Sequence, residues 1–214
     1  HRAPRHVKNS TDHNKCGDYL RGYHGTFLPE FERGFQCLAD HNLSFDLQCA
    51  PEQLPQATAL IMLNPKVKVA IDHLGKARTA SILTGDDEST TFEFVKDELE
   101  CWRKNMKEIA ALPNVYCKIS MLGYITPGWF GMPIEQQQVL KDLVLEVVEM
   151  FTPKRCMVGL NWYLAGAISD SDGKSKIGPS PLEYIEKCCW FFEELSQDDK
   201  KLLFCDTARE FYGF

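Results

Sequence analysis

Five pairs of polar residues stand at the ends of short apolar runs: Arg5 and His6, Asp46 and Gln48, Asp72 and His73, Lys118 and Ser120, and Asn161 and Trp162. Their types suit chemistry on a small acid or ester. An imidazole at His73 binds a metal through one nitrogen or polarises a carbonyl. Lys118 or Ser120 matches a substrate carboxylate or hydroxyl. Asn161 stands apart, because an amide hydrogen-bonds but takes up no proton. Three of the pairs also have a plainer reading. His73 can cap the turn that Gly75 completes, the Tyr116, Lys118 and Ser120 stripe can face solvent or a helix edge, and Arg5 and His6 can form an exposed basic tail.

The elements that must position these residues alternate. Runs with apolar residues at three- and four-residue spacing are followed by a turn and then a short β-branched or apolar run. The spacing predicts strands near residues 4–7, 44–48, 67–72, 115–120 and 156–160, the first of them weak. It predicts helices over PEFERGFQCLADHN, PEQLPQATALIMLN, TFEFVKDELECWRKNMKEIAAL, PIEQQQVLKDLVLEVVEMF, PLEYIEKCCWFFEEL and DDKKLLFCDTAREFYGF. In VKVAIDHLG the pleat would place Val69, Ile71 and His73 on one face and Ala70 and Asp72 on the other. Alternating strands and helices imply parallel strands with helical crossovers, the α/β class. Five strands suit an open doubly wound sheet and fall short of the eight in a closed barrel. In either architecture ligands bind beyond the carboxyl ends of the strands, where the five pairs sit.

Composition excludes several function classes. The chain has 214 residues, a formal charge of −6 and a pI near 5.5, with basic residues scattered singly or in pairs. A nucleic-acid surface needs clustered Lys and Arg. The longest apolar stretches, such as VLEVVEMF, are interrupted by Glu and fall short of a membrane span. The opening HRAPRHVKNSTDHNKCGDY lacks the apolar core of a signal peptide. Seven of the nine cysteines (Cys37, Cys101, Cys117, Cys156, Cys188, Cys189 and Cys205) lie in apolar periodic segments and read as small hydrophobes. With no CxxC pair, the expectation is reduced thiols and an intracellular site, cytoplasmic or in an organelle matrix. No Gly-rich phosphate loop, nucleophile elbow or HExxH appears.

Taken together, the strand ends resemble a known family. VAIDHLGKA resembles the DHxGKP signature of the amidohydrolase-related family that includes sugar-lactone and pyrone-dicarboxylate hydrolases. NVYCKISML resembles that family's NVYxKLSGL strand, RCMVGLNWY its RxMFGSDWP strand, DTAREFYGF its terminal NAxRxYxL helix and HRAPRH its VxGIRH strand. The similarity runs in order over nearly the whole chain, read as one domain, 1–214. It implies a β/α (TIM-like) barrel in which water attacks an ester or lactone carbonyl. It implies that His73 binds a divalent metal, zinc first, or the substrate, and that Arg5 holds a substrate carboxylate; the strand ends add His6, Lys118 and Trp162 as substrate-binding candidates. Asn161 would occupy the place of the Asp that deprotonates the water.

Two departures qualify these expectations. The family's HxH pair and first strands have no counterpart, so about five of eight βα units are expected, without the N-terminal part of the barrel. GLNWY replaces GSDWP, and loss of a general base typically costs about 10²–10⁴-fold in rate. Ala77 in place of Pro is a lesser change. The expected function is hydrolysis of a small lactone or cyclic ester, with a small lactone or carboxylate as substrate. The alternative is an inactive barrel serving as a binding or structural subunit, in a homo-oligomer or a larger assembly.

Overall fold

The buried parallel strands of the chain need helices to cover them. The computed structural model describes residues 29–77, 79–83, 90–94, 96–126, 128–161 and 179–214, with 79–83 and 90–94 described by their backbone. In chain order the elements are α1 (Pro29–Asp40), β1 (Phe45–Leu47), α2 (Leu54–Leu63), β2 (Val69–Ile71), β3 (Thr79–Leu83), β4 (Thr90–Phe94) and α3 (Lys96–Ala110). Then come β5 (Val115–Ile119), α4 (Ile134–Phe151), β6 (Cys156–Val158), α5 (Pro181–Phe191), α6 (Gln197–Lys201), a π-helical turn (Leu202–Asp206) and α7 (Thr207–Tyr212).

Four strands form one parallel sheet in the order β1-β2-β5-β6. Each new strand adds beside its predecessor, with no reversal of order. Val69, Ile71, Val115, Cys117, Ile119 and Cys156 project from one face into the main core, built with Leu60 and Ile61 of α2, Trp102 and Met106 of α3, Val144 and Val147 of α4, and Phe191 of α5. Ala70, Tyr116 and Met157 project from the other face, where Phe211 and Ala208 of α7 pack. Monotonic order with the crossover helices on one face belongs to an arc of a β/α barrel, whereas a doubly wound sheet reverses order and carries helices on both faces.

The strands at 44–48, 67–72, 115–120 and 156–160 are found, shortened to their paired residues, and the strand expected at 4–7 lies outside the described residues. One expectation is corrected. The helix predicted to begin at Thr91 begins at Lys96, and Thr90–Phe94 instead pairs antiparallel with Thr79–Leu83. TTFEF carries β-branched and aromatic residues at adjacent positions, which favour a pleated strand over the first turns of a helix. The cysteine reading is corrected in part. Cys49, Cys117, Cys156 and Cys188 are buried, but Cys37, Cys101, Cys189 and Cys205 are exposed, and all eight are free thiols.

Local chemistry fixes the helix ends that set strand position. Arg155, just before β6, donates from Nη1 to the carbonyl oxygens of Ala110 at 2.9 Å and of Leu112 and Val115 at 3.0 Å. One guanidinium thereby satisfies the open carbonyl end of α3 and ties it to β5 and β6. Ser180 and Glu183 close a reciprocal capping box at the start of α5, with Ser180 N donating to Glu183 Oε2 at 2.7 Å. Among the described residues no helix is long and apolar enough to cross a membrane.

Candidate active site

Three strand ends in a row break into left-handed backbone. After β2, His73, Leu74, Gly75 and Lys76 have φ of 57°, 53°, 61° and 54°; after β5, Met121 has 49°; after β6, Asn161 has 49°. Each non-glycine residue there costs roughly 1–2 kcal/mol, so surrounding contacts must impose the turn. For His73–Lys76 they come from α3. Trp102 Nε1 donates to the Leu74 carbonyl at 2.9 Å, and a Cβ on Gly75 would lie 2.7 Å from Met106 Sδ.

This turn explains why strand alternation misplaced His73. The pleat ends at Ile71, and the left-handed φ at His73 swings its ring away from the helix-facing side of Val69 and Ile71. His73 Nδ1 lies 2.8 Å from Ser120 Oγ, and its ring packs 5.3 Å from Tyr124, whose face also carries Lys76 Nζ at 4.8 Å. Ser120 is fully buried and His73 nearly so. Gly159 adjoins them. A side chain begun at Gly159 would meet Ser120 Cβ at 3.3 Å and Asn161 Oδ1 at 3.5 Å, so glycine lets β6 bring Asn161 up to Ser120.

Burial, followed by the positive charges of Lys76 and Lys118, lowers the His73 pKa from 6.5 to about 3, against the opposing effect of a hydrogen bond to the Ser120 backbone. The ring is therefore neutral at physiological pH. It is a weak base there, and in the tautomer where Ser120 O–H donates to Nδ1 the ring would present Nε2–H as a donor to a carbonyl oxygen.

Lys118 belongs to a second group alongside. From β5 it reaches across the small Ala70 of β2, which lies in register with Asp46 and Tyr116. Its Nζ lies 2.9 Å from Asp46 Oδ1 and 3.4 Å from Asp72 Oδ1. Burial alone would lower the Lys118 pKa, but Asp72, with Tyr212 and Asp46, outweighs it and raises the ammonium well above its ordinary value. Burial raises the Asp72 carboxyl, with Lys118 opposing and Asp46 reinforcing. The expected role of Lys118 as a carboxylate anchor meets an obstacle here, because two carboxylates already neutralise it.

His73 thus contacts Ser120, Ser120 and Asn161 both flank Gly159, and the charge of Lys118, paired with Asp72, is felt at His73. Arg5, His6 and Trp162 lie outside the described residues. Asp46, Asp72 and Ser120 were among the strand-end candidates but were given no specific role in catalysis, and Tyr124 and Tyr212 were not predicted. The signal for the pairing was two carboxylates at strand positions facing a lysine. A groove of ≈ 390 Å³ between α3 and α4, lined by Lys107, Ala110, Glu146 and Met150, lies by the residues that lead into β5, away from these carboxyl ends.

The model of the amidohydrolase family matches residues 10–214. The chain belongs to the amidohydrolase family. It is 28% identical over 187 residues to an L-fucono-1,5-lactonase of Burkholderia ambifaria, covering 86% of this chain and 54% of the relative. It is 31% identical over 194 residues to an uncharacterized protein of Sinorhizobium fredii, covering 91% and 55%. The chain spans about half the length of the curated relatives it matches. Among solved structures, an amidohydrolase of Burkholderia multivorans superposes with a TM-score of 0.68 at 23% identity, over 87% of this chain and 58% of that one. This likeness shows the amidohydrolase-type barrel fold, and one crystal form of that protein contains zinc. Among the described residues of this chain no three His, Cys, Asp or Glu side chains group as metal ligands. One imidazole nitrogen and an amide fall short of the three or four ligands a zinc site needs, so the described residues do not fit a metal.

Proposed function

We propose that the chain carries the ring-opening site of a hydrolase for small lactones or cyclic esters. The observation that carries this reading is the neutral His73, held by Ser120 beside Asn161 at the carboxyl ends of a barrel-type sheet. The family, and relatives named as lactonases, support the substrate class.

The described residues divide the work as follows. His73 Nε2–H and the Asn161 amide donate to the carbonyl oxygen and stabilise the negative charge that develops there. Asp72 is the carboxylate suited to take the proton from water, because its burial shifts the carboxyl toward the working pH range of a general base. The oxygen of that water bonds to the carbonyl carbon and the ring C–O bond breaks. The departing oxygen takes up the proton that Asp72 accepted from water, which restores the carboxylate, and the product is the open hydroxy acid. The substrate-binding roles of Arg5, His6 and Trp162 rest on the resemblance alone.

Asn161 favours a second reading, a barrel that binds a lactone or carboxylate without turning it over. Hydrolysis of L-fucono-1,5-lactone and related sugar lactones, followed as acid release by wild type and Asn161→Asp, separates the two. Turnover by wild type supports the hydrolase. Turnover by Asn161→Asp alone supports the binding protein, and turnover by neither counts against lactone chemistry at this site.

A further inference from the structure

The terminal helix reaches the site through one hydroxyl. Tyr212, the last residue of α7, donates its O–H to Asp46 Oδ1 at 3.0 Å and Oδ2 at 3.1 Å. Its ring lies 5.4 Å from Lys118 Nζ. Asp46 holds Lys118 at 2.9 Å, Lys118 holds Asp72 at 3.4 Å, and Asp72 is the residue from which the left-handed His73 turn departs. Neighbouring contacts fix α7 against the sheet. Phe211 packs on Tyr116 with ring centroids 4.9 Å apart, the Tyr116 hydroxyl lies 3.3 Å from Glu210 Oε1, and Lys68 Nζ donates to the Glu210 carbonyl at 3.2 Å.

We propose that Tyr212 is a positioning residue, which acts through Asp46 and Lys118 to hold Asp72 and the His73 turn in place at the carboxyl end of β2. The inference rests on the proposed function only for its catalytic consequence. Without the Tyr212 hydroxyl, the half-exposed Asp46 swings toward solvent and Lys118 is left to Asp72 alone. Lys118 then loses its fixed position between the two carboxylates, and Asp72 and the His73 turn are less firmly held. The phenol is itself pushed up to about 12, by burial first and by Asp46, against the opposing effect of Lys118, so it remains a donor across the working pH range.

The test is Tyr212→Phe, which keeps the ring over Lys118 and beside Phe211, together with Asp46→Ala, which cuts the same link from the sheet side. Hydrogen–deuterium exchange is compared at residues 72–76 and at 207–212. Both variants should exchange about fivefold faster at 72–76 while 207–212 keep their protection, and the double variant should add nothing further. Unchanged exchange at 72–76, or equal loosening of 207–212, would overturn the proposal. In lactone hydrolysis, Tyr212→Phe should lower kcat about tenfold with KM unchanged. A variant with wild-type kcat also overturns it. If wild type proves inactive, the proposed function fails while the exchange comparison still decides the role of Tyr212.

Discussion

His73 makes the fold sensitive to acid by an amount that follows from its surroundings. In the native protein its pKa is lowered from 6.5 to about 3 by burial and by the nearby lysine charges. The unfolded chain therefore binds a proton near pH 6.5 that the native chain refuses until near pH 3. Stability is undiminished above the unfolded value and is lost progressively as pH falls between the two. With about 1.4 kcal/mol per pKa unit, the loss attributable to this one group is about 2 kcal/mol between pH 7 and pH 5, and at most about 5 kcal/mol below pH 3. His73→Asn removes the titrating ring and leaves a side chain that can still bond Ser120. Urea denaturation of both proteins at pH 7, 6 and 5 isolates the effect, since the other groups titrate in both. Wild type should lose about 2 kcal/mol more than the variant over that range. Parallel pH dependences would refute the buried, neutral imidazole, and so would a wild type that gains on the variant as pH falls.

Three further outcomes follow from the packing. Gly75→Ala places a methyl group 2.7 Å from Met106 Sδ in left-handed backbone, and should cost about 2 kcal/mol in a denaturant titration. Arg155→Met leaves the carbonyls of Ala110, Leu112 and Val115 without their shared donor, and should lower stability by about 2 kcal/mol with little change in substrate affinity. Of the eight described cysteines, Cys37, Cys101, Cys189 and Cys205 should react with a thiol reagent in the native state, whereas Cys49, Cys117, Cys156 and Cys188 should react only after denaturation.

The parallel strands were legible because VAI, VYCKI and CMV are apolar runs between helices of clear periodicity, and parallel strands buried on both faces read that way. The choice between barrel and doubly wound sheet was beyond periodicity, because strand order depends on which strands meet. The hairpin of Thr79–Leu83 and Thr90–Phe94 was missed although its β-branched content was visible, since Phe94 also fits the apolar stripe of the helix that follows. In the site, the motif located His73, but alternation could not reveal a ring turned toward Ser120 by left-handed backbone. That conformation is imposed by Trp102 and Met106, some 30 residues downstream. Lys118 was recognised as an inward lysine, yet its partners Asp46 and Tyr212 come from opposite ends of the described chain and meet it only in the fold.

Comparison of wild type with Asp72→Asn in sugar-lactone hydrolysis, near neutral pH and with spontaneous hydrolysis subtracted, tests the proposed chemistry most directly. The amide preserves size and hydrogen bonding to Lys118 but accepts no proton from water. Wild type should open the lactone, and the variant should lose about 10²–10⁴-fold in kcat while still binding it. Equal rates for the two proteins, or no wild-type turnover above the spontaneous reaction, would contradict the assignment of this strand end as a hydrolytic site.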